Sequence, residues 1–237
     1  MIVAANFKTN LTRKKTLNYL GALESILKEK NISQEVLVFP ATSSLDEHEG
    51  LVTVGAQNAY ATFNGAFTGE IGQEQLDEFG IKTILIGHSE RRHVLGETQE
   101  ELVTKFNFYK ELGFKIVYCV GEPLEIRESG NEIMMKYISA QYEGIDTEYE
   151  NLTIAYEPVW AIGTGLTPTL DDIQTVHQAL KAKSKAPLLY GGSVKVANVE
   201  EVLSIENVDG VLVGGASLIA QDFAKMCEIA QEIENKE

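Results

Sequence analysis

ETQEELVTKFNFYKELGFKIVYCVGE, residues 97–122, changes period in its middle. The first half spaces apolar residues three and four apart, as a helix with one buried face requires. After Gly113 comes FKIVYCV, apolar almost throughout and closed by a glycine. A strand that is apolar on both faces belongs in a parallel sheet covered on both sides. The same step recurs along the chain. IVAAN from Ile2, EVLVF from Glu35, VTVGAQ from Val52, KTILIG from Lys82, LTIAY from Leu152, PLLY from Pro187 and GVLVG from Gly210 read as strands, and TRKKTLNYLGALESILKEK and LDDIQTVHQALKAKS as helices. About eight such units predict a single-domain (β/α)8 barrel spanning residues 1–237, because a doubly wound sheet usually stops at roughly five or six strands. No linker or low-complexity tract divides the chain.

Composition narrows the function. With 44% hydrophobic residues in 237, the chain can bury a substantial core. A net charge of -15 argues against nucleic acid or an anionic membrane as a partner held by bulk charge, so an anionic substrate needs a local site. Cys119 and Cys227 are far apart and form no C-x-x-C pair, which points to a reducing, cytoplasmic setting. MIVAANFKTN lacks the charged and apolar regions of a leader, and no apolar run is long enough for a membrane span.

In a parallel barrel every strand ends on one face, and the side chains there converge. The strand ends carry Asn6 and Lys8 after the first, His88 after the fourth, Glu157 after the sixth, and glycine pairs after the last two. Taken alone, the lysine reads as a solvated charge, the histidine as a structural residue and each glycine pair as a turn; their shared position makes them a candidate site. YGGSV from Tyr190 and VGGASL from Val213 offer backbone N–H groups, and the second leads into the helical run LIAQDFAKMCEIAQEI. Such turns bind phosphate without a charged side chain. GTGLTP lacks the third glycine of a dinucleotide fingerprint and no Walker loop is present, so a small phosphorylated substrate fits better than a nucleotide. In GHSERR, from Gly87, Ser89 is a good N-cap and His88 precedes it, which predicts a neutral imidazole able to polarise a carbonyl. Lys8 supplies fixed charge, on the order of 4 kcal/mol against an oxyanion about 4 Å away at an effective dielectric near 20. Glu157 remains as the base.

GAFTGE, LIGHSERR, CVGE, AYEPVWAIGTG, YGGSV and LVGGASL, in this order and spread over the whole chain, resemble the signatures of the triosephosphate isomerase family. That family is a long-standing example of a glutamate base beside a neutral histidine under a closing loop. The resemblance implies a TIM barrel that interconverts dihydroxyacetone phosphate and D-glyceraldehyde 3-phosphate through an enediolate, in glycolysis and gluconeogenesis. Asn6, Lys8, His88 and Glu157 would be catalytic, with Glu90 pairing with Lys8. Asn6, Lys8 and the backbone of Gly163, Ser193, Gly214 and Gly215 would bind substrate. Residues 158–168 would be the lid, with Ile162 closing over Glu157 against Leu212. The family works without metal or cofactor. It also implies a homodimer through the long connection 58–72, with Thr68 near the partner subunit's site, and Cys119 as a packing residue.

Two departures stand out. NFKTN replaces the family's usual N-W-K-M-N, a change of packing. At the far end of the lid Pro168 stands where the family uses a backbone N–H, so Tyr190 is expected to lose its usual latch, leaving Ser193 with Gly165 and a contact between Trp160 and Glu122. Rival chemistries fit less well. Lys82 and Lys115 lie at strand starts, where a Schiff-base lysine would not be, and only Glu157 is placed as one of a glycosidase pair. DEHEG around His48 reads as acidic solvated surface rather than a metal cluster, and His93 and His177 as structural or solvent-facing.

Overall fold

The computed structural model describes residues 1–162 and 168–236. Its strands are β1 (Ile2–Asn6), β2 (Glu35–Phe39), β3 (Val52–Val54), β4 (Thr83–Ile86), β5 (Lys115–Val120), β6 (Leu152–Tyr156), β7 (Leu188–Tyr190) and β8 (Gly210–Val213). They form one parallel sheet in the order β3-β2-β1-β8-β7-β6-β5-β4. The gap between β3 and β4 is spanned by a single parallel bridge at Ala56 and Ile84. There the Ala56 N–H donates to the Thr83 carbonyl at 2.9 Å, and the Leu85 N–H to the Ala56 carbonyl at 2.9 Å. The sheet is therefore a nearly closed barrel.

Outside it lie α1 (Arg13–Glu29), α2 (Gln73–Glu78), α3 (Ser89–His93), α4 (Gln99–Glu111), α5 (Leu124–Glu128), α6 (Asn131–Ala140), α7 (Leu170–Lys181), α8 (Val199–Leu203) and α9 (Ala220–Glu234). The three long helical patterns in the sequence become α1, α4 and α7. α4 and α7 open with capping boxes, Thr98 with Glu101 and Thr169 with Asp172, each satisfying two backbone donors that helix geometry leaves free. No described helix is long and apolar enough to cross a membrane.

Side-chain alternation divides the core in two. Ile2, Ala4, Leu37, Phe39, Leu85, Val117, Cys119, Ala155, Leu189 and Leu212 fill the barrel, while Val3, Ala5, Val36 and Val38 face the helices. Asn6 continues the inward series of Ile2 and Ala4, and Glu157 that of Ala155. The parity that fills the barrel thus aims both polar side chains into its mouth. The expected strand VTVGAQ ends early, at Val54. Gly55 lies under Phe39, so close that a β-carbon would come 2.5 Å from the ring, and beyond it only the Ala56 bridge remains.

The stretch DEHEG is not a purely solvated surface. His48 Nε2 lies 3.2 Å from Glu24 Oε1, and the same oxygen accepts the Val52 N–H at 2.8 Å. Gly50 leaves room for that carboxylate. Among the described residues no group of three or more His, Cys, Asp or Glu side chains is arranged to hold a metal. His93 is exposed, whereas His177 is fully buried, bonded through Nδ1 to the Asn207 carbonyl, with burial pushing its pKa down to about 4.

Candidate active site

The mouth of the barrel is built from backbone constraints first. Lys8 adopts a left-handed conformation, φ 53°, unusual for a residue with a β-carbon. Three contacts hold it there: its N–H donates to Asn6 Oδ1 at 2.9 Å, Gln57 Nε2 donates to its carbonyl at 2.8 Å, and its ammonium meets Glu90 Oε1 at 2.6 Å. The expected pairing of Lys8 with Glu90 is present.

His88, rather than Ser89, caps α3. Its Nδ1 accepts the Glu90 N–H at 3.2 Å, and Ser89 is the first helical residue. An Nδ1 that accepts from an amide carries no proton, so the ring hydrogen is on Nε2, which lies 2.9 Å from Glu157 Oε1. The other carboxylate oxygen, Oε2, accepts the Ser89 N–H at 2.8 Å. Burial alone would raise the pKa of Glu157; the His88 ring, the Ser89 N–H and the Lys8 ammonium outweigh it and hold the carboxyl below its ordinary value. Burial likewise disfavours a charged His88, and the Glu157 carboxylate overrides it and raises the ring's pKa.

A cavity of ≈ 370 Å³ joins the two halves of the predicted site, with Asn6, Lys8, His88 and Glu157 on one side and Ser193, Gly214 and Gly215 on the other. Ile162 and Leu212 also line it. Gly163 lies outside the described residues, as do Gly165, Leu166 and Thr167. The backbone N–H groups of Ser193, Gly214 and Gly215 donate to no backbone carbonyl among the described residues. VGGASL does not run straight into a long helix: a single 3-10 turn, Gly215–Ser217, intervenes, and α9 starts at Ala220. An anion there would meet individual amides rather than the end of a long helix dipole. Gly191 is needed for contact, since a β-carbon on it would come 2.9 Å from Glu157 Cγ.

At the near end of residues 158–168, Trp160 Nε1 donates to Glu122 Oε1 at 2.9 Å, Tyr156 Oη donates to the same oxygen at 3.1 Å, and Ser193 Oγ donates to the Ala161 carbonyl at 2.9 Å. At the far end Pro168 is buried, and the Tyr190 hydroxyl, also buried, has no hydrogen-bond partner among the described residues. Cys119 is wholly buried, and burial raises its thiol pKa well above the usual range, which suits packing. Sequence reasoning missed Gln57, which also donates to the Phe39 carbonyl at 2.9 Å, and Lys195, a cation lining the cavity. A lysine three residues after a phosphate-type glycine pair was a usable signal; an isolated glutamine was not.

The triosephosphate isomerase family profile matches residues 1–230. Triosephosphate isomerase of Sulfurimonas denitrificans is 72% identical over all of this chain and 98% of that protein. The enzymes of the same name from Sulfurovum sp. and Nitratiruptor sp. are 56% and 53% identical, over 95% and 98% of this chain and 99% and 100% of their own lengths.

The ionised Glu157 stabilises the fold above the unfolded carboxyl pKa of about 4.3, and this contribution is lost as pH falls through the lower folded value. Removing the ring reverses the balance, because burial then dominates. In His88→Gln the Glu157 carboxyl is expected to titrate at higher pH than in the parent chain, as read by carboxyl-carbon NMR; an unchanged midpoint would contradict the assignment of cause.

Proposed function

We propose a division of labour among the site residues from one premise: the chain belongs to the triosephosphate isomerase family and interconverts dihydroxyacetone phosphate and D-glyceraldehyde 3-phosphate. Glu157 is the base that takes a proton from the carbon beside the carbonyl and returns it to the neighbouring carbon. The observation that carries this reading is the buried carboxylate, its two oxygens occupied by the His88 ring and the Ser89 N–H. Arriving substrate competes for His88, and two consequences follow together. The Nε2–H becomes available to the substrate's carbonyl oxygen. Glu157, released from the donors that depress its pKa, grows more basic in a cavity from which water is excluded. Lys8 faces the oxygen on which negative charge develops, and Asn6 fixes the turn that presents Lys8.

The phosphate accepts the N–H groups of Ser193, Gly214 and Gly215, with Gly163 completing the set when residues 158–168 close. Ile162, which lines the same cavity as Leu212, covers Glu157 on closure. A dry site also protects an enediolate that would otherwise expel its phosphate. The near hinge is fastened by Trp160 to Glu122 and by Ser193 to Ala161; at the far hinge Pro168 has no N–H to offer Tyr190, whose hydroxyl has no partner among the described residues.

The active unit is a homodimer through residues 58–72. Phe63 and Phe67 are 53% and 42% exposed on that connection. A cleft of ≈ 1010 Å³ runs beside Lys8, Asn10 and Thr42, bordered by Val94 and Leu95, which are 77% and 66% exposed. An exposed aromatic loop and an apolar-edged cleft on one chain support a self-complementary interface, and in this reading Thr68 lies near Asn6 and Lys8 of the partner subunit. Two buried, unpaired cysteines favour the cytoplasm.

Glu157→Asp draws the carboxylate back by about 1 Å and should cost on the order of a hundredfold in kcat while substrate still binds. Deuterium entry into the carbon-bound positions of dihydroxyacetone phosphate in heavy water reads this directly. Tyr190→Phe should leave turnover nearly unchanged. A loss beyond about tenfold, roughly one hydrogen bond, would show that the hydroxyl finds a partner on closure. Sedimentation should give twice the chain mass, and Thr68→Arg should shift it towards one chain; a monomeric parent with full activity would refute the dimer.

A further inference from the structure

The backbone of Glu157 is placed by its neighbour strand. The Glu157 N–H donates to the Val120 carbonyl at 2.8 Å and the Val159 N–H to the Glu122 carbonyl at 3.1 Å, so Gly121 is bracketed between them. A β-carbon on Gly121 would stand 1.8 Å from the Glu157 carbonyl oxygen. Gly121 therefore touches the peptide of Glu157 directly, and any drift of one moves the other.

What fixes Gly121 is a side chain from behind. Gln141, the C-cap of α6 and almost fully buried, accepts the Gly121 N–H on Oε1 at 2.9 Å and donates from Nε2 to the Gly121 carbonyl at 2.7 Å. One amide closes both polar groups of one residue, which sets position and rotation together. Gln141 is itself anchored, because its backbone carbonyl accepts from Tyr118 Oη at 2.7 Å and Gln99 Nε2 at 2.9 Å. Arg92 carries the web on to the histidine: its guanidinium donates to Tyr118 Oη at 2.9 Å, to the Cys119 carbonyl at 3.1 Å and to the carbonyl of Gly87, the residue before His88, at 2.8 Å. A continuous chain of hydrogen bonds thus joins the platform of His88 to that of Glu157 outside the barrel.

We propose that Gln141 is a positioning residue for Glu157, acting through the two hydrogen bonds it makes to Gly121. The proposal rests on Glu157 being the base. Gln141 touches no substrate. It sets where the carboxylate lies when it leaves His88, a placement to which proton transfer is steeply sensitive.

Gln141→Met removes both bonds at similar length, and Gln141→Glu keeps the acceptor but turns the donor into an oxygen facing the Gly121 carbonyl. Each variant is assayed in full-length protein for kcat and KM with glyceraldehyde 3-phosphate and for inhibition by inorganic phosphate. Both should lose about ten- to hundredfold in kcat, with KM and phosphate inhibition within about twofold of the parent, since the phosphate end is untouched. A purely structural role would lower the melting temperature and leave kcat per folded molecule within about twofold, and that result overturns the proposal. Should Gln141→Met not fold, Gln141→Glu decides alone. Glu157→Asp is run alongside. If it keeps full turnover, the base assignment falls; if it is slow while the Gln141 variants are not, only the positioning role falls.

Discussion

A carboxylate with 2% of its surface exposed is the feature around which this mouth is organised. Taking one ion out of water costs several kcal/mol, and leaving it unpartnered costs about 3–5 kcal/mol more than leaving it paired. Glu157 avoids that cost with an imidazole N–H, a helix N-terminal amide and a lysine at longer range. The same partners that stabilise it depress its basicity. On the role proposed for Glu157, reactivity requires those donors to be given up to a substrate that replaces them, so that stability and function use one set of hydrogen bonds in turn.

That exchange works only if the peptides carrying the groups do not move. Gly191 packs against the glutamate's methylene and Gly121 against its carbonyl, and neither position has room for a β-carbon. Lys8 is held left-handed by three contacts from three different segments. His88 sacrifices Nδ1 to cap α3, which leaves its remaining hydrogen on the atom that faces the site. Rigidity here comes from backbone contact and capping, both of which survive when the side chains change partners.

The sequence disclosed the barrel because its strands are apolar on both faces and its long helices are amphipathic, and the short-range period of each survives in the fold. Asn6 and Glu157 were legible because each is a polar residue that closes an otherwise apolar strand; that both continue the inward-facing parity of the barrel shows only in the fold. The cap at His88 was misplaced by one residue, since serine is the better cap by intrinsic preference and here the His88 ring accepts the Glu90 N–H instead. The break in the third strand at Gly55 was invisible, because it depends on Phe39, sixteen positions earlier. Gln141 was equally hidden. Its partners, Gly121 and Tyr118, lie on another element, and a glutamine at a helix end has no period or spacing that marks it.

The global charge of -15 and the anionic substrate are reconciled by distance. At physiological ionic strength, exposed charges fade beyond a screening length of about 8 Å, so most of the chain's carboxylates are weak at the mouth. Inside the cavity screening is reduced, and there Lys8, Lys195 and the amides of the glycine turns line the wall. Glu90 offsets part of the Lys8 charge, but its side chain is half exposed, where water weakens it. The field at the mouth is set by a few donors at contact range, which lets an acidic surface and a cavity lined by lysines and glycine-turn amides coexist in one small barrel.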